Sequence, residues 1–374
     1  MTRILTATAS AAVVLFAGST SAGPSAWVVA PPPTFSEAAE VVLTGVTVVA
    51  PDDVWVVGAW TTDMRRTLAV HWNGSRWSLE PTPDPTDETS VAGLNAVDAV
   101  GPDDIWAVGD IESPNAAVKI APLLVHYDGV AWTEQPGPAG LTGDLADIDL
   151  LTAAEGWAVG TGNSRPLILR RTAGQWQQSL APPLAVPSSL ASVFAVSPTD
   201  AWAVGAQLQN GRSAALVLHW DGVRWSQVPI PADIATVALS DVAANSATDV
   251  WAVGTNCILL CTSRVLHLTE GGWRPEIASA GVTLTAVLAL SPTDVWVFGQ
   301  SGPPSAVLDH IEHWDGTGFT VDRSVPPPPV TTSSDHPASA LALASAGVDK
   351  QTGTMWTVGW IQGTVRTAHA LFRG

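Results

Sequence analysis

The chain has 374 residues, 46% hydrophobic and only 13% charged, with 29 Pro, 32 Gly, 18 Trp and a single Tyr. Its net charge is −18, and its 16 Lys and Arg form no run, which excludes nucleic acid as a partner because a polyanion needs a basic face. The wealth of Val, Thr and Trp, with no sustained i, i+3, i+4 apolar spacing beyond the N-terminus, excludes a helical fold.

At the N-terminus, Arg3 precedes an apolar stretch from Ile4 to Gly18 and the small residues Thr20-Ser21-Ala22. This is the order of a secretory signal peptide over residues 1–22. A single mature domain over 23–374 is expected to be secreted and extracellular. The apolar run is short and rich in Ala and Thr for a membrane span, so no span is expected after cleavage; the alternative is that the segment is retained as a signal anchor. The acidic surface then serves solubility in a monomer.

The rest of the chain is periodic. W-[AVT]-[VF]-G occurs at Trp55, Trp106, Trp157, Trp202, Trp251, Trp296 and Trp356, 45 to 60 residues apart. A unit of about 50 residues suits one four-stranded propeller blade. The first strand reads L-x-x-V-x-A, as at Leu190–Ala195. A turn with Pro51, Pro102, Pro198 or Pro292 at its corner follows. The second strand is D-V-W-A-V-G and the third L-V-L-H-W. Asn73-Gly74, Asp128-Gly129, Asp221-Gly222 and Asp315-Gly316 are expected as tight hairpins. The fourth strand starts at Trp77, Trp132, Trp176, Trp225, Trp273 or Phe319. The seventh unit lacks this strand, and Trp27-Val28-Val29-Ala30-Pro31 supplies the missing W-x-x-x-P ribbon. The expected fold is therefore all-β: a seven-bladed β-propeller whose last blade is completed by the N-terminal strand, leaving no open edge.

The S-P-T-D-V-W-A-V-G and L-H-W-D-G-x-x-W patterns resemble the Trp-rich propeller repeats of secreted bacterial proteins. In style they are similar to kelch and galactose-oxidase-type propellers. The late Trp also resembles tectonin-type sugar-binding propellers. The D-G-x-x-W turn is one residue shorter than the Asp-box of sialidase-like propellers. Copper-site or sialidase chemistry would imply several functional tyrosines or a Tyr nucleophile. The one Tyr, Tyr127, stands in the repeat slot of Trp72, Trp220 and Trp314. No catalytic residues carry over, and fold alone does not assign function.

Residues recurring in every blade read as structural. The acid two before each Trp (Asp53, Asp104, Glu155, Asp200, Asp249, Asp294) is expected to close a turn. The His of H-W-D-G (His71, His126, His219, His267, His313 and His369) is expected to form an inter-strand hydrogen bond. His310-Ile311-Glu312-His313 resembles a metal motif, but residues three apart on a strand face opposite ways. No cofactor or metal is assigned. Cys257 and Cys261 are expected to close a local disulfide in an oxidising compartment.

Departures from the repeat carry the functional expectations. Trp60 and Trp360 follow the V-G of the first and seventh blades, which closure makes neighbours. Exposed together, they would form a stacking platform for sugar rings. Arg66, Lys119, Arg165, Arg212, Arg264 and Arg366 precede strand three and would form a basic collar. Asn95, Asp147 and Asp241 fall on the innermost strands near the channel, where carboxylates could bind Ca²⁺ or act as acid and base on a glycosidic bond. The resulting expectation is a non-catalytic propeller binding carbohydrate or an extracellular protein. The alternatives are a polysaccharide-active hydrolase or lyase using the channel carboxylates, and a purely structural surface module.

Overall fold

The computed structural model describes residues 26–30, 40–85, 89–257, 261–302, 307–326, 340–362 and 366–374. Residues 1–22, expected from the sequence to be a signal peptide, lie outside them. The described residues form seven four-stranded antiparallel sheets and no helix, the seven-bladed propeller expected from the repeat. Blade 1 comprises β2 (Glu40–Ala50), β3 (Asp53–Thr61), β4 (Arg65–Trp72) and β5 (Trp77–Glu80). Blades 2 to 6 repeat this order. Their inner strands are β6 (Val91–Gly101), β10 (Asp144–Thr152), β14 (Ser188–Ser197), β18 (Ala238–Ser246) and β22 (Val282–Ser291). Blade 7 comprises β26 (Ala340–Val348), β27 (Met355–Gln362), β28 (Arg366–Arg373) and, outermost, β1 (Val28–Val29).

The closing strand is short. Val28 opposes Phe372 and Val29 opposes Leu371, and the Ala30 amide donates to the Ala370 carbonyl at 3.0 Å. Its anchor is Trp27, 2% exposed. The indole meets Trp296 and Phe298 edge-on, with centroids 6.4 and 5.8 Å away. That places it in the slot that Trp77 fills for blade 1, against Trp356 of the neighbouring blade.

Each inner strand bulges mid-strand at Thr44, Asn95, Ala146, Ala191, Ser240, Thr285 or Ala344, and those of blades 1 to 6 shift register again beside the turn. The bulge explains the glycine of W-x-x-G. At Gly205, a Cβ would sit 2.1 Å from the Ser189 carbonyl oxygen, and at Gly109, 1.9 Å from that of Gly93. Only a residue without a side chain lets the kinked inner strand approach so closely.

The repeated acid and histidine form one unit with the repeated Trp. In blade 5, Asp249 Oδ1 accepts from Trp251 Nε1 at 2.9 Å and bonds His267 Nε2 at 2.7 Å. The imidazole stacks on the Trp251 ring with centroids 3.7 Å apart. Asp53–His71, Asp104–His126, Asp200–His219 and Asp294–His313 repeat the bond at 2.8 Å. In blade 3, Arg170 lies over Trp157 instead.

The seventh blade corrects the sequence reading. His369 opposes Gly359, while Phe372 opposes Trp356 and stacks on it at 4.9 Å. Phe372 thus holds the histidine slot. His369 reaches across the blade boundary to Asp309 at 2.8 Å, with both side chains buried.

The Asp-Gly loops are also longer than two-residue hairpins, running four residues from Trp72 to Trp77. The first side chain accepts two backbone amides, as Asp221 does from Val223 and Arg224. Gly74, Gly129, Gly222 and Gly316 take φ between +83° and +93°, a region L side chains avoid.

Candidate functional site: the central channel

The seven inner strands surround a cavity of about 560 Å³. Because side chains alternate along a strand, the residues one and three beyond each bulge form two tiers on its wall. The first tier holds Gly45, Ala96, Asp147, Ser192, Asp241, Ala286 and Ser345. The second holds Thr47, Asp98, Asp149, Phe194, Ala243, Leu288 and Gly347. Blades 2, 3 and 5 supply every carboxylate, and blade 4 between them supplies Ser192 and Phe194. Blades 6, 7 and 1 supply small, apolar or hydroxyl-bearing residues. The fifth charged residue on the wall, Lys350, sits in the β26–β27 loop.

Polar side chains tie the inner strands together from blade 1 round to blade 7. Thr44 Oγ1 donates to the Leu94 carbonyl at 2.8 Å, and Asn95 Nδ2 to that of Leu145 at 2.8 Å. Ser240 Oγ donates to the Leu284 carbonyl at 3.2 Å and Thr285 Oγ1 to that of Leu343 at 2.6 Å. The carboxylates do the reverse and accept backbone amides. Asp98 Oδ2 takes the Leu150 amide at 2.7 Å, and Asp147 Oδ2 that of Val193 at 2.9 Å. Asp149 Oδ2 takes the Ala195 amide at 2.7 Å and Asp241 Oδ2 that of Val287 at 2.7 Å. Ser192 Oγ donates to Asp241 Oδ1 at 2.7 Å and also lies beside Asp147. One hydroxyl therefore joins two carboxylates from blades 3 and 5.

This arrangement moves the acids. Burial pushes Asp98 and Asp147 up to about 6 and Asp241 up to about 7. Burial and the neighbouring Asp98 charge raise Asp149 well above the usual carboxylate range. Desolvation disfavours the charged form, and a nearby like charge adds to it. Lys350 offsets part of the effect on Asp98 and Asp149, and its ammonium lies 5.9 Å from the Phe194 ring centroid.

Asn95, Asp147 and Asp241 all line this channel. Asp98, Asp149, Ser192 and Lys350, which the sequence reading passed over, complete it. A signal was present, since A-D-I-D sets Asp147 and Asp149 at period two on an inner strand. The aromatic platform is different. Trp60 is half-buried and packs against the Val41–Leu43 core cluster rather than standing free. Trp360 lies in β27 opposite Ala342 and Ala368, and its side chain is outside the described residues. In the basic collar, Arg66 donates to the Ser90 carbonyl at 2.9 Å, while Lys119 and Arg165 donate to those of Pro114 and Leu184. Arg212 and Arg264 are exposed. The Arg366 side chain is outside the described residues. Cys257 opposes Cys261 directly across β19 (Asp249–Cys257) and β20 (Cys261–Thr269), with their side chains also outside the described set. Among the described residues, no group of three His, Cys, Asp or Glu is placed to hold a metal.

The chain shares its fold with solved propellers. YCF48 bound to D1 peptide superposes with a TM-score of 0.57 at 14% identity, over 95% of this chain and 96% of the other. YCF48 from Cyanidioschyzon merolae gives 0.57 at 15%, over 93% and 98%. A PL25 ulvan lyase bound to -[GlcA(1-4)Rha3S]- gives 0.50 at 9%, over 83% and 87%. At such identities the likeness is one of fold. No family model and no curated protein matches the chain.

Proposed function

We propose that the protein is a secreted, non-catalytic binding module, and that its channel mouth receives a basic segment of an extracellular protein. One observation carries this reading: the channel carboxylates are engaged by the fold. A general acid or base must offer a free oxygen to the substrate. Asp98, Asp147 and Asp241 each have both oxygens hydrogen-bonded within the wall. They create a negative field on one side of the cavity rather than a proton relay. A field of that sign draws cationic groups from solution. The half-buried Trp60 offers a smaller face for sugar stacking, which tilts the reading from carbohydrate to protein. The likeness to a propeller that binds a peptide fits the same direction.

A second reading rests on Asp149. Its Oδ1 accepts no hydrogen bond from the described residues, and Lys350 stands nearby. That pair is what a polysaccharide-active enzyme would use.

One experiment separates the two. A displayed peptide library and a glycan array are probed with the mature protein, and a panel of uronic-acid polysaccharides is incubated with it. The proposal expects enrichment of Lys- and Arg-bearing peptides. Their binding should weaken as salt rises and fall about tenfold in Asp149→Asn, the loss of one charged contact. Enrichment of uncharged peptides, or binding to glycans alone, defeats it. Release of new chain ends from a polysaccharide, abolished in Asp149→Asn, establishes the enzyme instead.

A further inference from the structure

Two kinds of bond hold the inner strands together: neutral side chains donating to carbonyls recur around the ring, Asn95 and Ser240 included, whereas carboxylates accepting backbone amides are confined to the junctions from blade 2 to blade 6. The junctions from blade 6 to 7 and from blade 1 to 2 use threonine hydroxyls donating to carbonyls, groups that do not titrate. The junctions from blade 2 through to blade 6 depend on aspartates that accept amides, directly or, between blades 4 and 5, through Ser192. All four acids share one wall of one cavity. The other charged side chain on that wall is Lys350, so full ionisation leaves an uncompensated negative arc.

The surroundings of each acid sharpen the contrast. The strands behind oppose Asp98 with Trp106, Asp147 with Val159, Asp149 with Trp157 and Asp241 with Val253. On the channel side they face Thr47, Ser192, Phe194, Ala243 and Asn245, with Ala286, Leu288 and Ser345 across the cavity. None of these is charged.

We propose that the channel is a pH-responsive clamp: protonated, its four aspartates hold blades 2 to 6 together, and ionised, they repel one another along the shared wall and loosen those junctions alone. A neutral carboxylic acid still accepts an amide through its carbonyl oxygen, so a proton on Oδ1 gives up the local bond there, keeps the inter-blade amide bond at Oδ2 and removes the repulsion. Burial and proximity place the transition between ordinary carboxylate titration and neutrality. Blades 7 and 1, joined without acids, hold the ring closed throughout. The clamp acts whatever ligand the channel takes, and its test needs none.

The test is hydrogen exchange on the mature protein, read as protection factors corrected for intrinsic exchange, from pH 5.5 to 8. The reporters are the amides of Leu150, Val193, Ala195 and Val287, and the controls are the second-strand amides of Val204 and Val253. Reporter protection should fall at least tenfold as pH rises, with the controls unchanged. In Asp98→Asn paired with Asp149→Asn, the fall at Leu150 and Ala195 should vanish. A flat profile at the reporters overturns the proposal. So does a fall shared by the controls, or one that persists in the paired variant. The wild-type profile against its own controls decides the matter if the variant does not fold.

Discussion

The seal of the ring can be tested at Trp27. Its indole is 2% exposed and sits among Leu343, Met355, Ile311 and Leu371, edge-on to Trp296 and Phe298. Truncating a buried Trp to Ala costs about 3–5 kcal/mol through lost transfer energy and the cavity left behind, and two edge-to-face aromatic contacts place this site in the upper half of that range. Little else fastens the strand, since β1 contributes two residues to the sheet. Trp27→Ala should therefore lower the urea midpoint by the equivalent of about 4 kcal/mol. Trp77→Ala is the internal reference, because Trp77 occupies the same slot in blade 1 with 7% exposure and Trp356 at 5.5 Å. The two variants should lose similar amounts with unchanged denaturant slopes. A loss below about 1 kcal/mol at Trp27, beside a loss of several at Trp77, would mean that the N-terminal ribbon is dispensable and that blade 7 stands without it.

Four other outcomes follow from the same geometry. Gly205→Ala should destabilise by at least about 3 kcal/mol, measured by thermal or urea unfolding, because its new methyl would lie 2.1 Å from the Ser189 carbonyl; a neutral result would remove the bulge as the reason for the glycine. Asp249→Ala strips partners from Trp251 Nε1 and His267 Nε2 and should cost about 2–4 kcal/mol, one orphaned group at a time; equal stability in urea unfolding would show that the shared oxygen is idle. Because the channel aspartates bind protons more tightly in the folded state, stability should decline as pH rises from about 4 through about 7. Asp241→Asn should match the wild type at pH 4 and exceed it by about 2 kcal/mol at pH 8, a full three-unit shift halved for partial exposure; urea midpoints across that range check the sign. Finally, thiol titration of the mature protein should find no reactive Cys257 or Cys261 before reduction, and reduction should cost no more than about 2 kcal/mol for so short a loop.

The fold was legible because its determinants recur. A bulge that demands glycine, a turn that demands proline and an acid that serves both Trp and His leave the same letters in each repeat, and even the missing strand could be traced to Trp27–Ala30. Where one letter serves two geometries, reading failed. His369 looks like the histidine of the repeat until the register puts Phe372 opposite Trp356 and sends His369 to Asp309. Trp60 fits no slot, which suggested exposure; it is half-buried against the blade 1 core cluster, and the Trp360 side chain lies outside the described residues. The channel was legible only in part. Asp98 and Asp149 reach the wall through period-two alternation, but only the spatial order of the strands shows that both belong beside Asp147 and Asp241.

That order also bears on why the acids are there. Hydroxyls join blades 6 to 7 and 1 to 2 at a smaller desolvation cost than a charge, so the fold has a neutral way to tie adjacent inner strands. Using aspartate instead brings like charges into one wall, where burial raises their pKa values and the ionised state weakens the ring. Local choices that oppose the global fold mark places where something other than stability is being served. By that reasoning the arc of blades 2 to 5, and not the repeated rim, carries the function of this propeller, and substitutions there should alter binding or pH response out of proportion to their effect on folding.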